Sequence, residues 1–204
     1  MRREHSIEPD YFERLYRLKG DPWGFATSAY ERDKYRHTIE ALGRPRYAKA
    51  LEIGCAIGVL TRQLADRCDT LLAVDVSETA LAEAAKRCAD AGHVTFARLR
   101  IPQDRIEGVF DLIVLSEVAY YWDAADLQRA AMAIQEALSP GADLMLVHYT
   151  EATDYPHSGD AAVEALHAHL GADVRVLRTE RREHYRLDLW RRSGGHAEPA
   201  QHTL

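Results

Sequence analysis

The chain has 204 residues, 47% of them apolar, and a net charge of −6. This composition suits one ordinary globular domain and excludes a disordered chain. The acidic balance argues against nucleic acid as a partner, since phosphate binding favours a basic face.

Three cysteines, Cys55, Cys68 and Cys88, form no C-x-x-C pair and are odd in number, the pattern of a reduced, cytoplasmic protein. The opening "MRREHSIEPDYFERLYRLKG" has no apolar stretch of the signal-peptide kind, so no secretory signal is expected. No apolar run approaches the ~20 residues of a membrane span. Ten histidines show no metal-ligand spacing. His167 and His169 are two apart and face different sides of a helix, and no metal site is expected.

In chain order, helical stretches around Asp10–Leu18 and Glu31–Leu42 flank the loop "KGDPWGFATSAY". From Ala48 short apolar runs alternate with amphipathic stretches. "KALEI" reads as a strand and "GVLTRQLADR" as a helix. "TLLAVDV" is the next strand, and "SETALAEAAKRCADAG" is a helix with Ser77 as N-cap and a glycine at its end. "HVTFARL" and "FDLIVLS" are strands. "AADLQRAAMAIQEALSPG" is a helix closed by Pro140 and Gly141, and "ADLMLVHYT" a fifth strand. After a polar loop comes the helix "AAVEALHAHLG". Two strands follow, in "DVRVLRTERRE" and "HYRLDLWRR", whose short connection forces them antiparallel. Apolar strands separated by helices indicate an α/β fold with helices on both faces of a mostly parallel, seven-stranded sheet, here with an antiparallel last strand. We divide the chain into an N-terminal helical extension (1–47), a core (48–192) and a tail (193–204) expected to be disordered.

Open parallel sheets bind ligands beyond the carboxyl ends of their strands. "ALEIGCAIGVLT" places Glu52, Gly54 and Gly58 at such an end, where glycines allow a tight turn and close approach of backbone to ligand. The second strand ends in Asp75, suitably spaced to accept hydrogen bonds from ribose hydroxyls. The dinucleotide fingerprint G-x-G-x-x-G/A is broken, with Ala56 and Val59 at its later positions, and no P-loop is present. A pyrophosphate would also be repelled by Glu52. A carboxylate beside the turn suits a ligand with positive charge there. S-adenosylmethionine has an ammonium, a sulfonium and a ribose, and no phosphate.

The segments "GDPWGF", "YERDKY", "EIGCAIGVLTRQLADRCD", "AVDVSETAL" and "FDLIVLSEVAYYW" resemble the nodulation N-methyltransferases (NodS) of symbiotic bacteria. Those belong to the Rossmann-like class I S-adenosylmethionine-dependent methyltransferases. Where that class usually has a glycine, this chain has Ala56. The resemblance implies S-adenosylmethionine as cofactor, S-adenosylhomocysteine as product, and an N-terminal segment lying over the cofactor as a lid. It also implies a chitooligosaccharide acceptor with a free amine on its non-reducing glucosamine, methylated during nodulation factor biosynthesis.

The expected cofactor residues are Trp23, Arg32, Glu52, Gly54, Gly58, Asp75, Val76, Ile101 and Ser116. Arg32 would pair the methionine carboxylate in bidentate geometry. Trp23 is read either as a wall of the site, with Tyr30 and Tyr35, or as a core residue of the extension. Tyr120, Tyr121, Tyr149 and Tyr155 are the expected substrate contacts, the tyrosines and Trp122 offering ring faces to a sugar; one or two of these rings also serve to anchor the following helix. Catalysis needs alignment of an amine with the sulfonium methyl and at most a modest proton acceptor. Glu117, Tyr120 and His148 are the candidates. The plainer roles are a helix N-terminal acid for Glu117 and strand-end packing for His148. Competing readings are an NAD-dependent oxidoreductase, a small-molecule methyltransferase with another acceptor, and a non-catalytic nucleoside-binding protein.

Overall fold

A computed structural model describes residues 2–194. The apolar runs form the strands β1 (Tyr47–Ile53), β2 (Cys68–Asp75), β3 (Val94–Arg98), β4 (Phe110–Ser116), β5 (Leu138–Tyr149), β6 (Val174–Arg181) and β7 (Tyr185–Arg192). They build one sheet in the order β3-β2-β1-β4-β5-β7-β6. The pairs from β3 through β5 are parallel, while β7 runs antiparallel to both β5 and β6. The order reverses direction at β1, so the crevice beyond the ends of β1 and β4 is the topological switch point where such sheets take ligands.

The helices are α1 (Pro9–Lys19), α2 (Ala29–Glu40), α3 (Val59–Ala65), α4 (Glu78–Arg87), α5 (Ala124–Ala137) and α6 (Gly159–Leu170). Side chains supply the N-caps of most of them. Ser28 accepts from the Glu31 N–H, Ser77 from Ala80, Asp123 from Ala125 and Asp126, and Ser158 from Ala161. Successive strand residues face opposite layers. Ile113 and Leu115 of β4 pack with Leu127 and Ile134 of α5 and Leu166 of α6. Leu112 and Val114 pack with Tyr35 of α2 and Leu60 and Leu64 of α3.

One boundary differs from expectation. Helix α5 stops at Ala137 and β5 begins at Leu138, so Pro140 and Gly141 lie within the strand instead of closing the helix. Leu138 pairs with Phe110, the ladder then shifts register, and it resumes with Asp143 opposite Leu112. Proline has no N–H to donate and Gly141 adopts a φ of 76°, so the pair makes a bulge where it was expected to end a helix. The tail expected to be disordered falls outside the described residues beyond Gly194. Ser193, which is described, donates its N–H to the Asp173 carbonyl at 2.8 Å.

Candidate functional site

A cavity of about 400 Å³ opens at the carboxyl ends of β1, β2, β4 and β5. Its floor is the turn after β1. Gly54 has a φ of 80° and Ala56 one of 51°. The Gly54 and Cys55 N–H groups donate to the Val74 carbonyl at 2.8 and 3.0 Å, which folds the turn against β2. A Cβ on Gly54 would lie 2.2 Å from Cγ2 of Val118, so only glycine leaves the floor open. Asp75 braces the same turn, its Oδ2 accepting from the Ala56 N–H and its Oδ1 from the Ser77 N–H, both at 2.9 Å. Each oxygen keeps a lone pair for a ligand. Burial pushes this carboxyl up, and the backbone N–H donors pull it back.

Glu52 sits in mid-sheet, opposite Ala73 and Val114, and is 2% exposed. Its Oε2 has no hydrogen-bond partner among the described residues. Burial pushes its carboxyl up to about 8, with Thr61 working the other way. An orphaned acid in a cavity wall is costly unless a ligand answers it. The donor set therefore fits S-adenosylmethionine: Glu52 for the ammonium, Asp75 for the ribose, and Val76, Ile101 and Ser116 on the wall. Trp23 is also on the wall, its ring stacked on Phe25 at 5.5 Å.

Three expected residues lie elsewhere. Arg32 is exposed and does not line the cavity. The inward face of α2 is Glu31, Lys34, Tyr35 and Thr38, and helical periodicity turns Arg32 away from it. Gly58 packs α3 on α4, for a Cβ there would sit 2.8 Å from Cα of Ala84. His148 is fully buried behind the wall, its Nε2 accepting from the Ala119 N–H at 3.1 Å. Burial lowers its pKa to about 4, so it stays neutral and props up the turn that carries Tyr120 and Tyr121.

The acceptor side is closely packed. Tyr120 is 6% exposed, with Tyr155 stacked on it at 5.4 Å and the edge of Tyr121 at 4.7 Å. It lines the cavity all the same, with Tyr155 over one ring face. Trp122 is also 6% exposed and lines the cavity. Tyr121, Tyr149 and Tyr155 line the cavity together with Glu117. Glu117, at a φ of 59°, is held by three donors: Nζ of Lys34 at 2.6 Å, the Tyr120 hydroxyl at 2.6 Å and the Tyr149 N–H at 2.9 Å. Burial alone would raise its pKa, but Lys34 and the Tyr120 hydroxyl outweigh it and hold the carboxyl below the usual range. An acid held below the usual range is a poor proton acceptor, and Glu117 acts as a knot joining α2, the Ala119–Tyr121 turn and β5.

Sequence reasoning missed Lys34, Glu31 and Glu13. Lys34 is 2% exposed and also donates to Glu31 Oε1 at 3.0 Å. Glu31 and Lys34 are three apart, the spacing of an ordinary surface pair, and nothing local marks them as buried. Glu13 of α1 accepts from the hydroxyls of Ser77 and Thr79 at 2.6 and 2.7 Å. It thereby ties the N-terminal segment, whose Ile7, Phe12 and Tyr16 line the cavity, to the start of α4. The signal was present in the apolar spacing of Phe12 and Tyr16, four apart on one helix face.

Comparison with known proteins gives the family and the fold. The aligned part of nodulation protein S from Rhizobium tropici is 33% identical over 127 residues, 61% of this chain and 53% of that protein. The chain thus spans about half the length of that curated relative. A crystal structure of a putative methyltransferase from Pseudomonas syringae is 38% identical, with a TM-score of 0.71, covering 81% of this chain and all of that one. The N-methyltransferase NodS of Bradyrhizobium japonicum WM9, crystallised with S-adenosyl-l-homocysteine, matches with a TM-score of 0.80 at 24% identity. That match covers 91% of this chain and 99% of the other, and shows a shared Rossmann-like methyltransferase fold. The family model described as Nodulation protein S (NodS) matches residues 10–178, most of the length that forms the sheet and its cavity, and the chain belongs to that family.

Proposed function

We propose that this chain transfers a methyl group from S-adenosylmethionine to the free amine of the non-reducing glucosamine of a chitooligosaccharide, in nodulation factor biosynthesis. Family membership supports the reaction class. The observation that carries the cofactor is Glu52, a buried carboxylate with an unpartnered oxygen beside a glycine turn. A cationic ligand also suits the wall as a whole: five carboxylates (Glu31, Glu52, Asp75, Glu117, Asp126) face two cations (Lys34, Arg100) among the described residues.

Bound there, the cofactor supplies a methyl group on a positively charged sulfur. Glu52 orients its ammonium, Asp75 its ribose hydroxyls, and Val76 and Ile101 enclose its base. The tyrosine-lined wall and the N-terminal segment exclude water, and alignment of the amine supplies most of the rate. We place the reaction in the cytoplasm, where the three buried, unpaired cysteines stay reduced.

A second reading is a small amine as acceptor. A cavity of about 400 Å³ holds one drug-sized ligand and little more. Wild-type protein, radiolabelled S-adenosylmethionine, and acetylated, deacetylated and monomeric glucosamine acceptors test both readings. Label on the nitrogen of the deacetylated oligomer alone is expected. Labelling of glucosamine in preference to the oligomer favours the second reading, and label on a hydroxyl overturns both.

A further inference from the structure

We propose that Glu31 and Tyr30, at the start of α2, form the site that holds the acceptor amine, and that Glu31 takes its proton. The proposal rests on the N-methyltransferase reading and goes beyond it by assigning the amine's own ligands.

Sequence spacing gives Glu31 a different job. Ser28-x-x-Glu31 is the pattern of a capping box, in which the acid reaches back to the N–H of the cap residue. The Ser28 hydroxyl does accept from the Glu31 N–H, at 3.4 Å. The reciprocal bond is missing, because the Ser28 N–H donates to the Gly24 carbonyl at 2.8 Å. The Glu31 side chain turns inward instead. It is 7% exposed and forms part of the cavity wall. A carboxylate taken from its cap and buried needs partners, and Lys34 provides one, donating to Oε1 at 3.0 Å. Oε2 also lies 3.0 Å from that ammonium but is out of line for a hydrogen bond, and it has no other partner among the described residues.

The neighbouring Tyr30 is in the same position. Its ring packs near Lys34, 5.2 Å from Nζ, and its hydroxyl is buried and has no partner among the described residues, in a side chain that lines the cavity. Two adjacent residues thus bring to the cavity wall a carboxylate oxygen held only by the charge of Lys34 and a hydroxyl without a partner among the described residues. A neutral primary amine has two N–H donors and one lone pair. With one N–H on Oε2 of Glu31 and the other on the Tyr30 oxygen, the lone pair is left to face the methyl donor.

The alternative proton acceptors are committed elsewhere. Glu117 already accepts from Lys34, Tyr120 and Tyr149, and His148 is behind the wall. Lys34 remains an ammonium between two acids and cannot accept a proton. Burial raises the Glu31 carboxyl above its usual range, with Lys34 and Tyr35 lowering it and Glu117 raising it further. In the step itself the nitrogen lone pair forms the N–C bond as the S–CH₃ bond breaks, its electron pair staying on sulfur. The nitrogen, now with a positive charge, passes one proton to Oε2 of Glu31.

The test uses the full chain and a chitooligosaccharide with a free amine at its non-reducing end, with Glu31→Gln and Tyr30→Phe. Glu31→Gln keeps the bond from Lys34 but loses the proton acceptor. It should lower kcat about 100-fold, the low end for general-base loss, and remove the acid limb of the kcat–pH profile. By calorimetry on protein saturated with S-adenosylhomocysteine, the amine should bind at least about tenfold more weakly to either variant, as for a lost buried hydrogen bond. Affinity for S-adenosylhomocysteine itself should stay within about twofold, since neither residue is assigned to the cofactor. If Glu31→Gln fails to fold, Tyr30→Phe carries the test through its weaker amine binding and raised KM. Wild-type rates, pH profile and amine affinity in both variants would overturn the assignment alone. Absence of any methylated amine with the wild-type chain would overturn the underlying N-methyltransferase reading.

Discussion

Nζ of Lys34 and Oε1 of Glu117 are 2.6 Å apart, although 83 positions separate them in the chain. The contact joins the N-terminal helices to the end of β4, with Lys34 buried and Glu117 largely so. Removing one partner of such a pair leaves a buried charge without compensation. Lys34→Met should therefore cost about 3–5 kcal/mol in urea unfolding. The double variant Lys34→Met/Glu117→Gln, which removes both charges, should recover part of the loss. A Lys34→Met protein as stable as wild type would show the pair to be dispensable.

Glu52 makes stability and ligand affinity depend on pH in opposite ways. Its folded pKa of about 8 lies above the ordinary 4.5, so the folded state binds the extra proton in that window. The stabilisation it contributes is complete below the unfolded pKa and is lost as pH rises through about 8. S-adenosylmethionine, whose ammonium requires the ionised form, should bind more tightly as pH rises toward about 8, where its own α-ammonium begins to lose its proton. At pH 7 binding should release a proton, seen as a buffer-dependent calorimetric enthalpy. Glu52→Gln should abolish both slopes.

Asp75 is assigned to the ribose while it also holds the Ala56 and Ser77 N–H groups. Asp75→Ala should weaken S-adenosylhomocysteine binding by roughly 1.5–3 kcal/mol, the range for a hydrogen bond to a charged group. Because the turn loses its brace as well, the melting temperature should fall too. Asp75→Asn keeps one acceptor oxygen and should lose less on both measures.

Two neighbouring positions of the glycine turn should respond in opposite senses. Gly54→Ala puts a methyl group 2.2 Å from Val118 at a positive φ, so it should destabilise the fold and abolish cofactor binding. Ala56→Gly removes a side chain from a φ of 51° and should raise stability by about 0.5–1 kcal/mol, the strain relieved exceeding the added chain entropy. Thermal denaturation of the two variants decides it.

The sheet, its strand sequence and the antiparallel end pair were legible in the sequence, because apolar runs of strand length and turn residues are local signals. The positions of Glu52, Gly54 and Asp75, at the ends of β1 and β2 and on the cavity wall, were legible too, since they follow from strand-end signals. The bulge at Pro140–Gly141 was not, since proline and glycine mark a break without saying whether a helix or a strand is broken. Three assignments moved for tertiary reasons. Arg32 is on the outer face of α2, Gly58 against α4, and His148 behind the wall. The acceptor side was the least readable, because it is made by residues from distant segments. Glu31 and Lys34 look like a surface ion pair until α2 packs over the end of β4, and Glu117 looks free until Lys34, Tyr120 and the Tyr149 N–H converge on it. Local pattern determines which segments fold and where a glycine turn opens. Burial and partner geometry, which decide whether a charged group is free to act, exist only after the chain has packed.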